Sequence, residues 1–398
     1  MMKDPRERIQ EEAFAQWKDK GEKGTIQAIT GIGKTFIALK AVAEMDPNDR
    51  ILFLAETRQR ERDFKKEIDK FSDLYGVDFT EYNIEIMCYQ SAYKRRGMTH
   101  DLVIADEIHD SLTPKYSRYY ANNTYYKIMG LSATIDDGEI WFSEDRSTTK
   151  LKMLSEIAPI CYIYNIEDGQ REGTTRPLDV FVLHHRLGTV RNVLAGTKKK
   201  PFMTTEQGSY EYWDKRFKRS FFVEPDKREL QMALASRKRA AMLYTLPSKV
   251  VMVNKLLENL KGKTLIFGND LKALEQITSN VVRAARKGEK VKEIEKRNER
   301  IREQFDKGEI DVIASFKMLK QGANLKNVDN VIVMSYYGKQ RDLLQRIGRL
   351  RKEGNKIGTV IIPVTVGTQE VKWFESMTDG ISLNTIPCLS LDELISKL

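Results

Sequence analysis

Eight residues, Ala28 to Thr35 (AITGIGKT), have the composition of a phosphate cradle. Gly31 and Gly33 permit backbone torsions that turn N–H groups toward anionic oxygens, with Thr30 and Ile32 completing the loop. Lys34 would reach the β- and γ-phosphates, and the Thr35 hydroxyl would ligate Mg²⁺. The pattern is a P-loop with Ala at its first position in place of Gly. A second group, Asp106-Glu107-Ile108-His109, follows the apolar run Leu102–Ala105 directly. There Asp106 can hold Mg²⁺ through its water shell, and Glu107 can orient and deprotonate an attacking water. A glycine turn alone, or acids at a strand's end alone, need bind nothing. Together, a domain-scale distance apart, they point to a nucleoside triphosphate.

These residues need a frame. Short apolar runs alternate with amphipathic stretches twice over. The first series is Thr25–Ile29, Ile51–Ala55, Ile84–Tyr89, Leu102–Ala105 and Lys127–Leu131, with helical segments such as Lys34–Glu44 and Arg58–Phe71. The second is Thr264–Phe267, Asp311–Ala314, Val331–Met334 and Thr359–Pro363. Such runs read as buried parallel strands in α/β layers. The expected architecture is therefore α/β, with two tandem domains built on parallel sheets and a small insertion between or within them. The expected division is 1–162, then a linker and basic, aromatic insertion over 163–248, then 249–398. Within the insertion, Lys198–Lys200 reads as a solvated loop. The segment SYEYWDKRFKRSFF interleaves Tyr210, Tyr212, Trp213, Phe217, Phe221 and Phe222 with four cations. It stacks on bases, acts as a strand-separating wedge, or packs on the second domain, and the packing role is favoured. His184 and His185 read as strand residues. Residues 283–307 are helix-compatible, with a break at Gly288.

The chain has 398 residues, 41% of them hydrophobic, which is enough for real cores. Lys plus Arg is 67 against 57 acids, a net charge of +10. This suits a globular protein that touches a polyanion, or serves solubility alone. Cys88, Cys161 and Cys388 are scattered, so neither a disulfide framework nor a Cys-rich zinc site is expected. No apolar run is long enough to span a membrane, and the charged start lacks a signal-peptide core. A cytoplasmic setting is the expectation.

Four segments occur in a recognisable order: AITGIGKT, DEIH, Ser132-Ala133-Thr134 and Gln345-Arg346-Ile347-Gly348-Arg349. The sequence resembles the superfamily 2 helicases and translocases from Gln10 to about Phe374, in the DExH branch. Its style is that of the RecG, UvsW, UvrB and type III restriction-subunit translocases. The resemblance implies two RecA-like domains with ATP in their cleft and Mg²⁺ as its metal. Gln10 sits where a glutamine reads adenine, unless it is a solvated helix residue. Thr57, Arg58 and Gln90, with Ser91, sit where the family contacts a nucleic-acid backbone. Ser132 and Thr134 fit the motif that couples hydrolysis to strand movement and are placed with the nucleic-acid contacts. Ser315 and Lys317 fall in a segment that touches nucleic acid, and Gly322 and Asn324 in its continuation toward the ribose. Many relatives carry Asp where Asn324 stands.

Gln345 to Arg351 corresponds to the arginine-finger motif on an expected helix, Arg341–Arg351. Arg349 would stabilise charge on the transferring γ-phosphoryl group. The family's second Arg falls on Lys352, so either the neighbouring Arg351 takes the role or the second finger is altered. Arg346 would bind nucleic acid or phosphate.

The implied activity is an ATP-dependent DNA helicase or translocase, monomeric, holding nucleic acid through its phosphates. The alternatives are an RNA helicase, or an ATP-switched nucleic-acid-binding subunit of a restriction, defence or repair assembly. The early first motif leaves no room for an N-terminal DNA-recognition domain, and nothing after the last motif resembles a nuclease.

Overall fold

The computed structural model describes residues 4–136, 138–143, 146–197, 199–316, 325–350 and 356–398. The chain divides into two compact units, with the boundary between Thr175 and Arg176.

The first unit holds strands β1 (Lys23–Ala28), β2 (Ile51–Ala55), β3 (Ile84–Cys88), β4 (Thr99–Asp106) and β5 (Thr124–Ser132). A small antiparallel pair follows, β6 (Glu139–Ser143) and β7 (Arg146–Thr149), and then β8 (Ile160–Tyr164). Six strands form one parallel sheet in the order β3-β2-β4-β5-β1-β8. Every residue of β2 is buried, as expected of a strand covered on both faces. Helices α1 (Pro5–Asp19), α2 (Lys34–Ala43) and α3 (Arg58–Tyr75) position the residues discussed below. The α1 residues Ile9, Ala13 and Trp17 lie four apart and are all buried, the stripe of an amphipathic helix. Trp17 also donates its indole N–H to the Ile128 carbonyl, tying α1 to β5. A β-carbon on Gly130 of β5 would stand 2.4 Å from Thr25 Oγ1 and 2.8 Å from Ile108 Cδ1. Glycine there lets the start of the 3₁₀ turn Ile108–Asp110 pack onto the sheet beside β1.

The second unit opens with β9 (Leu178–His185), then the antiparallel hairpin β10 (Arg191–Thr197) and β11 (Lys200–Thr205). Its remaining strands are β12 (Thr264–Gly268), β13 (Val281–Arg283), β14 (Val312–Phe316), β15 (Asn330–Val333), β16 (Gly358–Thr365) and β17 (Thr385–Cys388). Seven of these form a parallel sheet in the order β13-β14-β12-β15-β16-β9-β17.

The segment 163–248 is thus shared out. Residues 163–175 lie with the first unit, where Asn165 caps the short helix Ile166–Arg171. β9 lies inside the second sheet because Val180 and Leu183 are fully apolar and fully buried there. The basic run expected as a loop belongs to the β10–β11 hairpin, although Lys198 lies outside the described residues. The helix Glu206–Ser220 carries the aromatic segment. Tyr210 is buried and its hydroxyl accepts the Gln369 N–H at 2.7 Å, while the Arg239 guanidinium lies 4.1 Å from the Phe217 ring. Tyr212, Phe221 and Phe222 face outward, so the segment packs with one face only. Gly288 precedes the helix Val291–Lys307.

Candidate functional site

The loop after β1 turns through Gly31 (φ 94°) and Gly33 (φ 88°), both in the left-handed region that favours glycine. Gly33 caps α2 and has no side chain to satisfy the first N–H groups of that helix. Those donors and the positive end of the helix form an anion seat. Lys34 stands at the helix start and donates to the Ala28 carbonyl at 2.7 Å, so its ammonium lies over the loop.

Gln10 of α1 is buried against this loop. Its amide donates to the Ile32 carbonyl at 2.8 Å, and its Oε1 is buried without a hydrogen-bond partner. Gln10 is therefore not a solvated helix residue. An orphaned acceptor beside the loop fits a group that waits for a donor.

β4 delivers the acidic pair. The Tyr89 hydroxyl donates to the Asp106 carbonyl at 2.9 Å and pins the strand end. Asp106 and Thr35 bond the same cation. The Arg60 guanidinium of α3 donates to Asp106 Oδ2 at 2.5 Å and to Thr35 Oγ1 at 2.7 Å, and to both Glu67 oxygens at 3.0 Å. Burial disfavours the Arg60 charge, but Asp106 and Glu67 more than compensate, and its pKa is raised. The two oxygens assigned to Mg²⁺ therefore do converge on one positive group. Hard oxygen donors of this kind, few in number, suit Mg²⁺, which keeps several waters.

Glu107 has φ 47°, a left-handed torsion uncommon for a non-glycine residue and one that stores strain. Burial pushes its carboxyl up to about 7, with the Lys34 charge opposing and Asp106 adding to the rise. Its Oε2 is buried without a hydrogen bond, 3.4 Å from His109 Nδ1. A carboxylate near 7 and short of partners has the properties of a general base. His109 Nδ1 also meets Ser132 Oγ at 2.7 Å, and Ser132 donates onward to the Thr134 carbonyl at 2.9 Å. Ser132 is completely buried, so its hydroxyl links DEIH to the SAT segment and faces no outside ligand.

Thr57 caps α3, its hydroxyl accepting the Arg60 N–H at 3.3 Å, and Arg58 is the first residue of that helix. Gln90 is exposed and donates to the Glu56 carbonyl at 3.0 Å, which places it beside the start of α3.

In the second unit, a cavity of about 410 Å³ is lined by Phe267, Asn269, Ser315, Tyr337, Gln345 and Arg346, among others. Ser315 Oγ and Gln345 Oε1 are buried without hydrogen-bond partners. Arg346 donates to the Ser335 carbonyl at 2.7 Å and lies 5.4 Å from the Phe267 ring; burial lowers its pKa. The expected helix Arg341–Arg351 runs only from Gln340 to Ile347, because Gly348 caps it and Arg349 follows in a turn. Lys317, Gly322, Asn324 and Arg351 lie outside the described residues.

Sequence reasoning missed Arg60. Its signal was the middle of three cations in RQRER, indistinguishable from a solvated helix face. Among the described residues no group of three His, Cys, Asp or Glu is placed to hold a metal, and no helix is long and apolar enough to cross a membrane.

Comparison with known proteins bears on both units. Residues 3–137 match the family described as the res subunit of type III restriction enzymes, and residues 248–354 match the helicase conserved C-terminal domain. A relative from Sulfurisphaera tokodaii, the DNA 3'-5' translocase XPB2, is 25% identical over 374 residues, 91% of this chain and 82% of its own. Two solved structures share the fold at 13% identity. Saccharomyces cerevisiae Dbp5 bound to RNA and ADP BeF3 has a TM-score of 0.59, covering 98% of this chain and 92% of its own. The ATP-dependent type ISP restriction-modification enzyme LlaBIII bound to DNA has 0.56 and covers 99% of this chain, which spans only 33% of that enzyme. With the phosphate loop, the DEIH strand end and both family matches on one chain, the protein carries a superfamily 2 helicase and translocase core, the core of a class of ATP-hydrolysing enzymes.

Proposed function

We propose that this chain is an ATP-dependent translocase or helicase that tracks along DNA. The observation that carries the reading is the convergence of Thr35 and Asp106 on one cation beside a partner-poor Glu107. Thr35 and Asp106 would hold Mg²⁺, which when bound neutralises phosphate charge. The α2 N-terminus and Lys34 bind the phosphates. Gln10 offers its unused amide oxygen to an adenine amino group. Glu107 takes the proton of the attacking water. Arg349, with Gln345 and Arg346, is assigned to the γ-phosphoryl end by the family pattern.

DNA is favoured by the archaeal translocase relative, and the +10 charge suits binding through phosphates without sequence preference. Thr57, Arg58 and Gln90 in the first unit and Ser315 and Lys317 in the second are assigned to that backbone. A monomer in the cytoplasm is part of this reading.

The test is ATP turnover measured with single-stranded DNA, forked DNA and RNA at two salt concentrations. DNA stimulation that vanishes in Lys34→Ala and Glu107→Gln is expected. Stronger stimulation by RNA would move the substrate, and no stimulation by any polymer would sink the motor reading. Strand displacement by the purified chain would argue against an ATP-switched binding subunit.

A further inference from the structure

Arg60 is a permanent cation where a divalent one has to go. Its Nη2 engages the Thr35 oxygen and its Nε engages Asp106 Oδ2, on the two residues assigned to Mg²⁺ and its water shell. Neither oxygen can direct the same lone pair at a guanidinium and at a metal. Two cations within a few ångströms in a buried site also repel strongly. The third arm of the fork, Nη1, is held separately by both oxygens of Glu67. The guanidinium therefore keeps a charged partner even when Thr35 and Asp106 are taken away from it.

We propose that Arg60 is an internal competitor for the divalent cation, holding Thr35 and Asp106 together until Mg²⁺ arriving with ATP displaces it toward Glu67. The proposal rests on the reading of this site as the Mg²⁺·ATP site. It gives Arg60 two consequences. Asp106 is never left buried without a positive neighbour, so the empty pocket keeps its shape. Metal entry also has to move a side chain of the first turn of α3, whose cap Thr57 accepts the Arg60 N–H. That turn is assigned to the nucleic-acid backbone, so strand contact and metal entry act on the same few residues.

The test is ATP binding by calorimetry across a series of Mg²⁺ concentrations, with melting temperature against Mg²⁺ alone as a second readout. In Arg60→Met, the Mg²⁺ concentration at half-maximal ATP binding falls about tenfold or more, as expected for loss of a charge-assisted competitor. Mg²⁺ alone raises its melting temperature more than that of the natural protein. An unchanged or higher Mg²⁺ midpoint overturns the proposal. If Arg60→Met does not fold, Arg60→Lys serves. Its point charge cannot hold both oxygens in a fork, so the midpoint falls severalfold, and an unchanged value overturns the proposal. Natural protein that binds no ATP at any Mg²⁺ concentration overturns the nucleotide-site reading itself. Binding with a midpoint indifferent to residue 60 overturns only the role of Arg60.

Discussion

Each unit buries an ion pair, and the two pairs are built differently. In the second unit, Lys249 and Glu370 are both fully buried, 2.7 and 2.9 Å from ammonium to carboxylate oxygens. Glu370 Oε2 also accepts the Thr365 N–H at 2.9 Å. Around them, His185 bonds Thr365 at 3.1 Å and Ser248 at 2.9 Å, and Ser248 donates to the buried Glu206 at 2.6 Å. This network closes on itself. In the first unit, the Arg60–Asp106 pair adjoins a glycine loop, a strained Glu107 and the orphaned oxygens of Gln10 and Glu107. That network is open. A closed buried network fixes the relation of helices to a sheet, whereas an open one keeps unspent hydrogen-bonding capacity for a ligand.

The contrast can be broken by experiment. The largest effect belongs to Glu107→Gln. ATP turnover falls about 10²–10⁴-fold, the range for loss of a general base, while stability stays level or rises. A melting temperature that drops along with turnover would place Glu107 in the closed class. Lys249→Ala should do the reverse. It leaves the Glu370 carboxyl buried without its cation, so the folding free energy falls by about 3–5 kcal/mol, read from urea denaturation, while turnover per folded molecule is retained. Lys249→Met with Glu370→Leu should recover most of that loss; a double variant as weak as the single one would show the pair to be more than structural.

His185 gives a smaller, pH-dependent effect. Burial, with Lys249 adding to it, lowers its pKa to about 3, against about 6.5 in the unfolded chain. Between these values the unfolded state binds the extra proton. The stabilisation is complete above pH about 6.5 and is lost as pH falls toward 3, by roughly 1.4 kcal/mol per pH unit. His185→Gln should flatten that part of a stability-against-pH curve, and an unchanged slope would exclude His185 as its source. The smallest effect is Thr57→Ala, which removes the α3 cap and costs about 1 kcal/mol in stability. Because the same hydroxyl meets the Arg60 N–H, its loss should also shift the Mg²⁺ requirement for ATP binding, while any cap change at Ser390 should not.

The sequence made the chemistry more legible than the wiring. The runs at β2, β4, β12, β14, β15 and β16 are legible because buried parallel strands are apolar with little interruption. The phosphate loop was visible because its torsions demand glycine at set positions. Arg60 was not, since its partners Thr35 and Asp106 lie 25 and 46 residues away and only the folded chain brings them together. The position of β9 was also hidden: His184 and His185 read as strand residues, but nothing local says that the strand's neighbours are β16 and β17. The helix from Gln340 ends at Ile347, one turn short of its expected end, because the basic residues beyond Gly348 continue a helical pattern in the sequence that the chain does not follow.

The place of β9 has a consequence in time. His185 at its end and its partner Thr365 on β16 are 180 residues apart. At about 5–20 residues per second, a ribosome needs roughly 10–40 s to make the intervening chain. Throughout that interval Val180, Phe181, Val182 and Leu183 emerge as an apolar strand with unfilled edges on both sides. The second unit is therefore slow to nucleate and exposed to aggregation during synthesis, and the first unit, whose described residues all precede β9, has a head start in folding.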